Sequence, residues 1–108
     1  MKRRSRYALV YAVEVGEHVR KIDRKYHRLV RTAIEEQLGF EPEQPARNRK
    51  PLERLPGPFG ATWELRFGPG NQFRVFYEVV PEDRAVWVLA IGVKTGNRLL
   101  IGGEEFES

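Results

Sequence analysis

Cysteine is absent from the 108-residue chain. That excludes a disulfide-stapled fold, thiol redox chemistry, a cysteine nucleophile and a cysteine-rich zinc site. Histidine is scarce: His18 and His27 stand nine positions apart, not the four that stack two side chains on one helix face. No carboxylate cluster joins them, so neither a metal site nor a cofactor is expected, and both histidines are expected at the surface or at a helix edge. No run approaches the roughly 20 apolar residues that span a bilayer. The basic start Met1-Lys2-Arg3-Arg4-Ser5-Arg6 leads into an apolar run that Glu14 interrupts, with no small-residue cleavage site, so no secretory leader is expected. The expected compartment is the cytoplasm. A phosphate-loop signature, a Gly-x-Ser-x-Gly elbow and a defensible Ser/His/Asp set are also missing.

What is present is charge, unevenly placed. Residues 1–60 hold 14 basic and 8 acidic side chains, and residues 61–108 hold 5 and 7. The first part is thus net positive and the second net negative. A basic half suits a polyanionic partner such as nucleic acid, and equally the solvated face of charged helices. The length fits one domain, which buries a real core without staples. Residues 1–6 read as a basic tail and 102–108 as an acidic one.

Residues 7–15 are aromatic and β-branched up to Gly16, the composition of a first strand. Val19, Ile22, Tyr26, Leu29, Val30, Ala33, Ile34 and Leu38 then recur at helical spacing, with Gly39 as a stop. Asp23 is placed to cap a second helix, so one long helix and two short ones both fit. Five of the seven prolines fall between residues 42 and 58, beside Arg47, Arg49, Lys50 and Arg54. Proline fixes φ and removes donors, so this segment reads as an extended loop with a basic rim. Three strand-like runs follow at 61–67, 72–80 and 84–93, hinged at Gly68-Pro69-Gly70-Asn71 and Pro81-Glu82-Asp83, and Leu99-Leu100-Ile101 forms a shorter apolar run.

Alternation fixes a register between the first two runs. Phe67 facing Phe73, Leu65 facing Val75 and Trp63 facing Tyr77 makes one apolar face for the helical stripe, and any other register mixes the faces. The same register sets Arg66 against Arg74 and Glu64 against Phe76 on the second face. Like charges directly across a pair repel, so the arginines call for a nearby carboxylate such as Glu64 or Glu78, splayed side chains, or a bound anion such as phosphate. Simple alternation also puts Trp87, Leu89 and Ile91 on this second face. The expected fold is α+β: a twisted antiparallel sheet, with an N-terminal strand and a helical hairpin packed on one side.

Arg49-Lys50-Pro51-Leu52, Trp63-Glu64-Leu65-Arg66, Phe73-Arg74-Val75-Phe76-Tyr77 and Val86-Trp87-Val88-Leu89-Ala90-Ile91-Gly92, in that order, resemble the RelE/ParE toxin superfamily over residues 7 to 101. The resemblance implies a toxin of a type II toxin–antitoxin pair, neutralised by a cognate antitoxin that wraps it, with Trp87 and Leu89 among the contacts. For the RelE type it further implies metal-independent cleavage of mRNA on the ribosome by 2′-hydroxyl attack. By that resemblance Arg74 stabilises the phosphate, Arg66 and Lys94 support it, and Arg49, Lys50 and Arg54 bind RNA; Glu64, a departure from the family pattern, is this chain's own candidate general base. RelE itself has lysines at the positions of Thr62 and Glu64 and a tyrosine near Leu100. This chain has no tyrosine or histidine after Tyr77. The alternatives are a ParE-type toxin that binds DNA gyrase without chemistry, and an orphan binding protein with attenuated activity.

Overall fold

A computed structural model describes residues 6–107. Strand β1 (Ala8–Tyr11) leads into helix α1 (Val15–Arg20), a 3-10 turn and helix α2 (His27–Leu38). The apolar run that begins at residue 7 leaves the extended conformation after Tyr11, and its last residue, Val15, opens α1. The helical stretch divides where Asp23 allows it to. The Asp23 carboxylate accepts from the Lys25 backbone N–H at 3.0 Å, capping the turn between the two helices. Gly39 ends α2, and a Cβ there would stand 2.6 Å from the Glu35 carbonyl, so only glycine fits this close approach.

The remaining elements are strands β2 (Arg49–Pro51), β3 (Trp63–Phe67), β4 (Phe73–Val80), β5 (Ala85–Thr95), β6 (Arg98–Ile101) and β7 (Glu104–Glu105). They form a continuous antiparallel path from β2 to β7 in chain order. β1 runs parallel to the first half of β5, beside Ala85 to Val88, and β6 takes the same edge further along, beside Gly92 to Thr95. Two features differ from the sequence reading. The proline-rich linker contributes the edge strand β2, because only one side of an edge strand has to supply ladder hydrogen bonds and Pro51 is tolerated there. The expected acidic tail is partly ordered, since Glu104 and Glu105 pair with Ile101 and Leu100. The basic tail at 1–6 lies, apart from Arg6, outside the described residues.

The β3–β4 register is the one alternation demands: Phe67 with Phe73, Leu65 with Val75, Trp63 with Tyr77 and Arg66 with Arg74. The first face carries Leu65, Phe67, Phe73, Val75 and Tyr77, and it packs against Val15, Ile22, Val30, Ile34 and Leu38 from the helical side. Burying aliphatic side chains as completely as Ile34 and Leu38 contributes about 1.5–3 kcal/mol each.

The second face has its own small core of Ala61, Phe76, Ala90 and Ile101, covered in part by Leu52, Leu89, Leu99 and Phe106. Here one expectation fails. Phe76 pairs with Ala90 but Tyr77 pairs with Val88, which leaves Leu89 as the extra residue of a β-bulge. The bulge resets the alternation of β5. Ile91 opposes Val75 and is buried in the helix-side core, whereas Trp87 and Leu89 keep the second face. Among the described residues no helix is long and apolar enough to cross a membrane.

Candidate functional site

The site lies on the second face, where neighbouring strands place like charges together. Arg66 of β3 and Arg74 of β4 are directly opposed, and Glu64 precedes Arg66 by two positions and so shares its face. The Glu64 carboxylate resolves the repulsion. Its Oε1 accepts from Arg66 Nε at 2.8 Å, and its Oε2 lies 3.5 Å from Arg74 Nη1. The carboxylate is buried at 8% exposure, the Arg74 side chain is 11% exposed and Arg66 is 37% exposed, so Arg74 is the shielded cation and Arg66 the open one. A second bond fixes Arg74: its Nε donates to the Asn71 carbonyl at 3.0 Å. Asn71 holds φ 54 in the hinge before β4, a left-handed conformation that asparagine tolerates.

Burial, and secondarily the neighbouring Arg66, hold the Arg74 guanidinium below the usual arginine range, with Glu64 opposing both. It remains a cation, since arginine does not deprotonate in proteins. One carboxylate between two guanidiniums leaves net positive charge at the cluster. Lys94, two positions beyond the Gly92 that opposes Arg74, adds to it.

Glu64, Arg74, Lys94 and Arg54 line one cleft of about 780 Å3, walled by the Leu52 to Phe59 loop, Phe76, Leu99 and Phe106. Asn97 and Glu107 reach the same cleft. The loop thus closes over the sheet and brings Arg54 to a site ten or more positions away in sequence.

The other expected residues fall elsewhere. Arg49 is buried at 9% exposure, and its guanidinium donates to the Gln44 carbonyl at 2.8 Å and the Gln37 carbonyl at 3.2 Å. It ties the linker to the end of α2 and does not line the cleft. Lys50 is exposed on β2 opposite Glu64 and flanks the cluster from the sheet edge.

His18 departs most from its expectation. It is 5% exposed, not a surface residue, and its Nδ1 accepts from the Ile91 backbone N–H at 3.2 Å. Val15, His18, Val19 and Ile22 share the buried stripe of the first helical turns, and that spacing was the available signal. His27 does lie at a helix edge, bonded through Nε2 to the Ile22 carbonyl at 2.9 Å.

Such a cleft can hold an oxyanion between fixed cations, and it can offset charge that develops on a phosphorus centre. Phosphodiester cleavage by a 2′-hydroxyl also needs a proton acceptor and a proton donor. Among the described residues the ionisable groups lining the cleft besides the arginines are Glu64, Glu107 and Lys94. Among the described residues no group of three or more His, Cys, Asp or Glu side chains is placed to hold a metal ion.

The model of the family described as the ParE toxin of the type II toxin–antitoxin system, parDE, matches residues 9–95. The chain belongs to the ParE toxin family. The match runs from β1 through β5 and includes Glu64, Arg66, Arg74 and Lys94, so the cluster lies within the family domain. Among solved structures the chain is similar to one of the toxin–antitoxin complex RelBE2 from Mycobacterium tuberculosis, at TM-score 0.58 and 20% identity, over 87% of this chain and 98% of that one. That likeness establishes the fold, and with the family match it bears out the RelE/ParE resemblance. No curated protein gives a significant match.

Proposed function

We propose that this ParE-family chain is the toxin of a type II toxin–antitoxin pair and cleaves mRNA on the ribosome by 2′-hydroxyl attack. The observation that carries the reading is the joint placement of Arg74, Lys94 and Arg54 in one cleft, with Arg66 beside them. Fixed cations around an open cleft suit a phosphodiester whose charge grows in the transition state. In this reading Arg74 holds the scissile phosphate, Arg66 and Lys94 offset the phosphorane charge, and Arg54 and Lys50 follow the RNA backbone. Arg49 acts through the loop it anchors. Glu64 is the general base, and since both its oxygens are engaged by Arg66 and Arg74, one of these contacts has to yield before it accepts a proton, so slow turnover is expected. The working partners are ribosome-bound mRNA and a cognate antitoxin, in the cytoplasm.

A second reading rests on the same carboxylate. Glu64 is engaged as a counter-ion, and among the described residues no histidine or tyrosine lines the cleft. A ParE-type toxin that inhibits DNA gyrase by binding needs no proton transfer and would use the cleft only for contact. Expression of the chain in a bacterial host separates the two. Rapid loss of protein synthesis with cleaved transcripts supports the ribonuclease. DNA damage and filamentation with intact transcripts supports the gyrase inhibitor and overturns the first reading.

A further inference from the structure

The cationic cleft also holds an open aromatic ring. Tyr11, Phe59 and Trp87 are the exposed aromatic side chains among the described residues, and of these only Phe59 lines the cleft, at 47% exposure. Phe76 in the same wall is buried in the small core of the second face, and Phe106 packs against that core. Arg54, Arg74 and Lys94 share the cleft with the Phe59 ring.

Burial does not explain why a phenylalanine stands there. Its ring gains only part of the stabilisation that a core position would give, and its backbone lies at φ 57, ψ 27, a left-handed conformation that is strained for a bulky residue. The turn that imposes this conformation is tightly closed. Gly60 N–H donates to the Gly57 carbonyl at 3.0 Å, Ala61 N–H to the Pro58 carbonyl at 3.1 Å, and Gly57 N–H to the Ala61 carbonyl at 3.2 Å. Pro58 and Ala61 are both buried, which anchors the turn to the sheet. A Cβ at Gly57 would stand 2.7 Å from the Ala61 carbonyl, so the neck of the turn closes only around glycine. The ring meets the buried His18 imidazole edge-on, at 5.1 Å between centroids, and the Ile91 N–H holds that imidazole in turn. Phe59 is thus presented to the cleft in a fixed place, and a group already in position binds with little further ordering cost.

An open ring beside fixed cations narrows the choice of ligand. Inorganic phosphate, or a polyanion with no planar group, uses the cations alone. A nucleotide uses both, because its phosphate meets the cations and its base has a face to stack. Bases within a duplex are stacked on one another and closed to a single side chain, so the base has to be unpaired.

We propose that Phe59 is a stacking platform for an unpaired nucleobase whose adjoining phosphate sits at Arg74 and Lys94, so that the cleft takes single-stranded RNA and favours purines through their larger stacking surface. Phe59 is then a specificity-determining residue that works without a hydrogen bond to a base edge. The inference rests on the ribonuclease reading for its reaction, but the binding step is measured without ribosome or cleavage.

The test titrates the full chain, followed by NMR, with the 2′-O-methylated dinucleotides ApA and UpU, which lack the attacking hydroxyl, and with inorganic phosphate. ApA is expected to shift the Phe59 ring protons upfield and saturably, the ring-current signature of a stacked base, and UpU to bind several-fold more weakly. Phe59→Leu keeps an apolar side chain and the same backbone strain. In that variant ApA affinity falls about tenfold, within the range for one base losing its aromatic partner, and Phe59→Trp restores it. Phosphate affinity is the same in the wild type and both variants. A Phe59→Leu protein that binds ApA as tightly as the wild type overturns the platform, and equal affinities for ApA and UpU overturn the purine preference. Saturation by phosphate alone, or by none of the probes at millimolar concentration, removes the base site. Binding that depends on Phe59, with translated mRNA left intact, keeps the platform and overturns the ribonuclease reading. Cleavage that Phe59→Leu leaves unchanged in rate and position does the reverse.

Discussion

Replacing Glu64 by glutamine keeps the shape of the side chain and removes the charge between two guanidiniums. Two contributions are lost. The Arg66 contact is short, at 2.8 Å, but that side chain is 37% exposed, so solvent screening limits it to about 0.5–1 kcal/mol. The Arg74 contact is longer, at 3.5 Å, but that guanidinium is 11% exposed, and its charge would be left facing Arg66 with only the Asn71 carbonyl as partner. Stranding a charged hydrogen-bonding group costs about 1.5–3 kcal/mol. Together the loss is about 2–4 kcal/mol, which for a chain of this size lowers Tm by about 10–15 °C. Thermal unfolding followed by circular dichroism, at low ionic strength and without phosphate, reads the shift directly. The double variant Glu64→Gln/Arg66→Gln relieves the repulsion, so its destabilisation is less than the sum of the two single changes. A Glu64→Gln protein that melts within about 2 °C of the wild type would show that the carboxylate does not balance the pair, and the electrostatic account of the cluster would fall.

Two further perturbations test the framework that positions the cleft. Burial lowers the His18 pKa below its ordinary value, against the opposing pull of Glu14 and Glu17. The neutral form is thus favoured by folding, and its contribution is present above the unfolded pKa near 6.5 and is lost as pH falls through the lower folded value. The urea midpoint of the wild type is expected to drop below pH 6.5 relative to that of His18→Gln; parallel profiles would refute the buried neutral imidazole. Tyr77 is fully buried and donates its hydroxyl to the Pro42 carbonyl at 2.7 Å. Tyr77→Phe strands that carbonyl, so a loss of about 1–2 kcal/mol is expected, with faster amide exchange in the linker after α2 and an unchanged β3–β4 ladder. Equal loss of protection in both places would contradict the anchoring role.

The sheet was legible wherever polar and apolar residues alternate. Trp63 to Phe67 and Phe73 to Tyr77 have one phase, and the observed register is the one that phase selects. It also foresaw the opposed arginines and the carboxylate beside them. In β5 nearly every residue from Val86 to Ile91 is apolar, so alternation gives no phase there, and the bulge at Leu89 stayed hidden. Simple alternation therefore puts Ile91 on the second face, whereas the bulge turns it into the helix-side core. The edge strands β2 and β7 are short and rest on pairing partners, and neither Pro51 nor two glutamates announce a strand. Of the candidate site, Glu64, Arg66, Arg74 and Lys94 were reached by strand position and family resemblance. The entry of Arg54, and the diversion of Arg49 to the carbonyls of Gln37 and Gln44, depend on the path of a proline-rich loop that local pattern does not determine.

The most direct measurement is primer extension on mRNA translated in a reconstituted system, with the wild-type chain and with Arg74→Ala added in parallel. Cuts inside translated codons that require the ribosome and disappear with Arg74→Ala, while the variant keeps its folded circular dichroism spectrum, are the expected result. Intact mRNA with the wild-type chain, together with inhibition of DNA supercoiling by gyrase, would contradict the ribonuclease and leave the cleft as a binding surface.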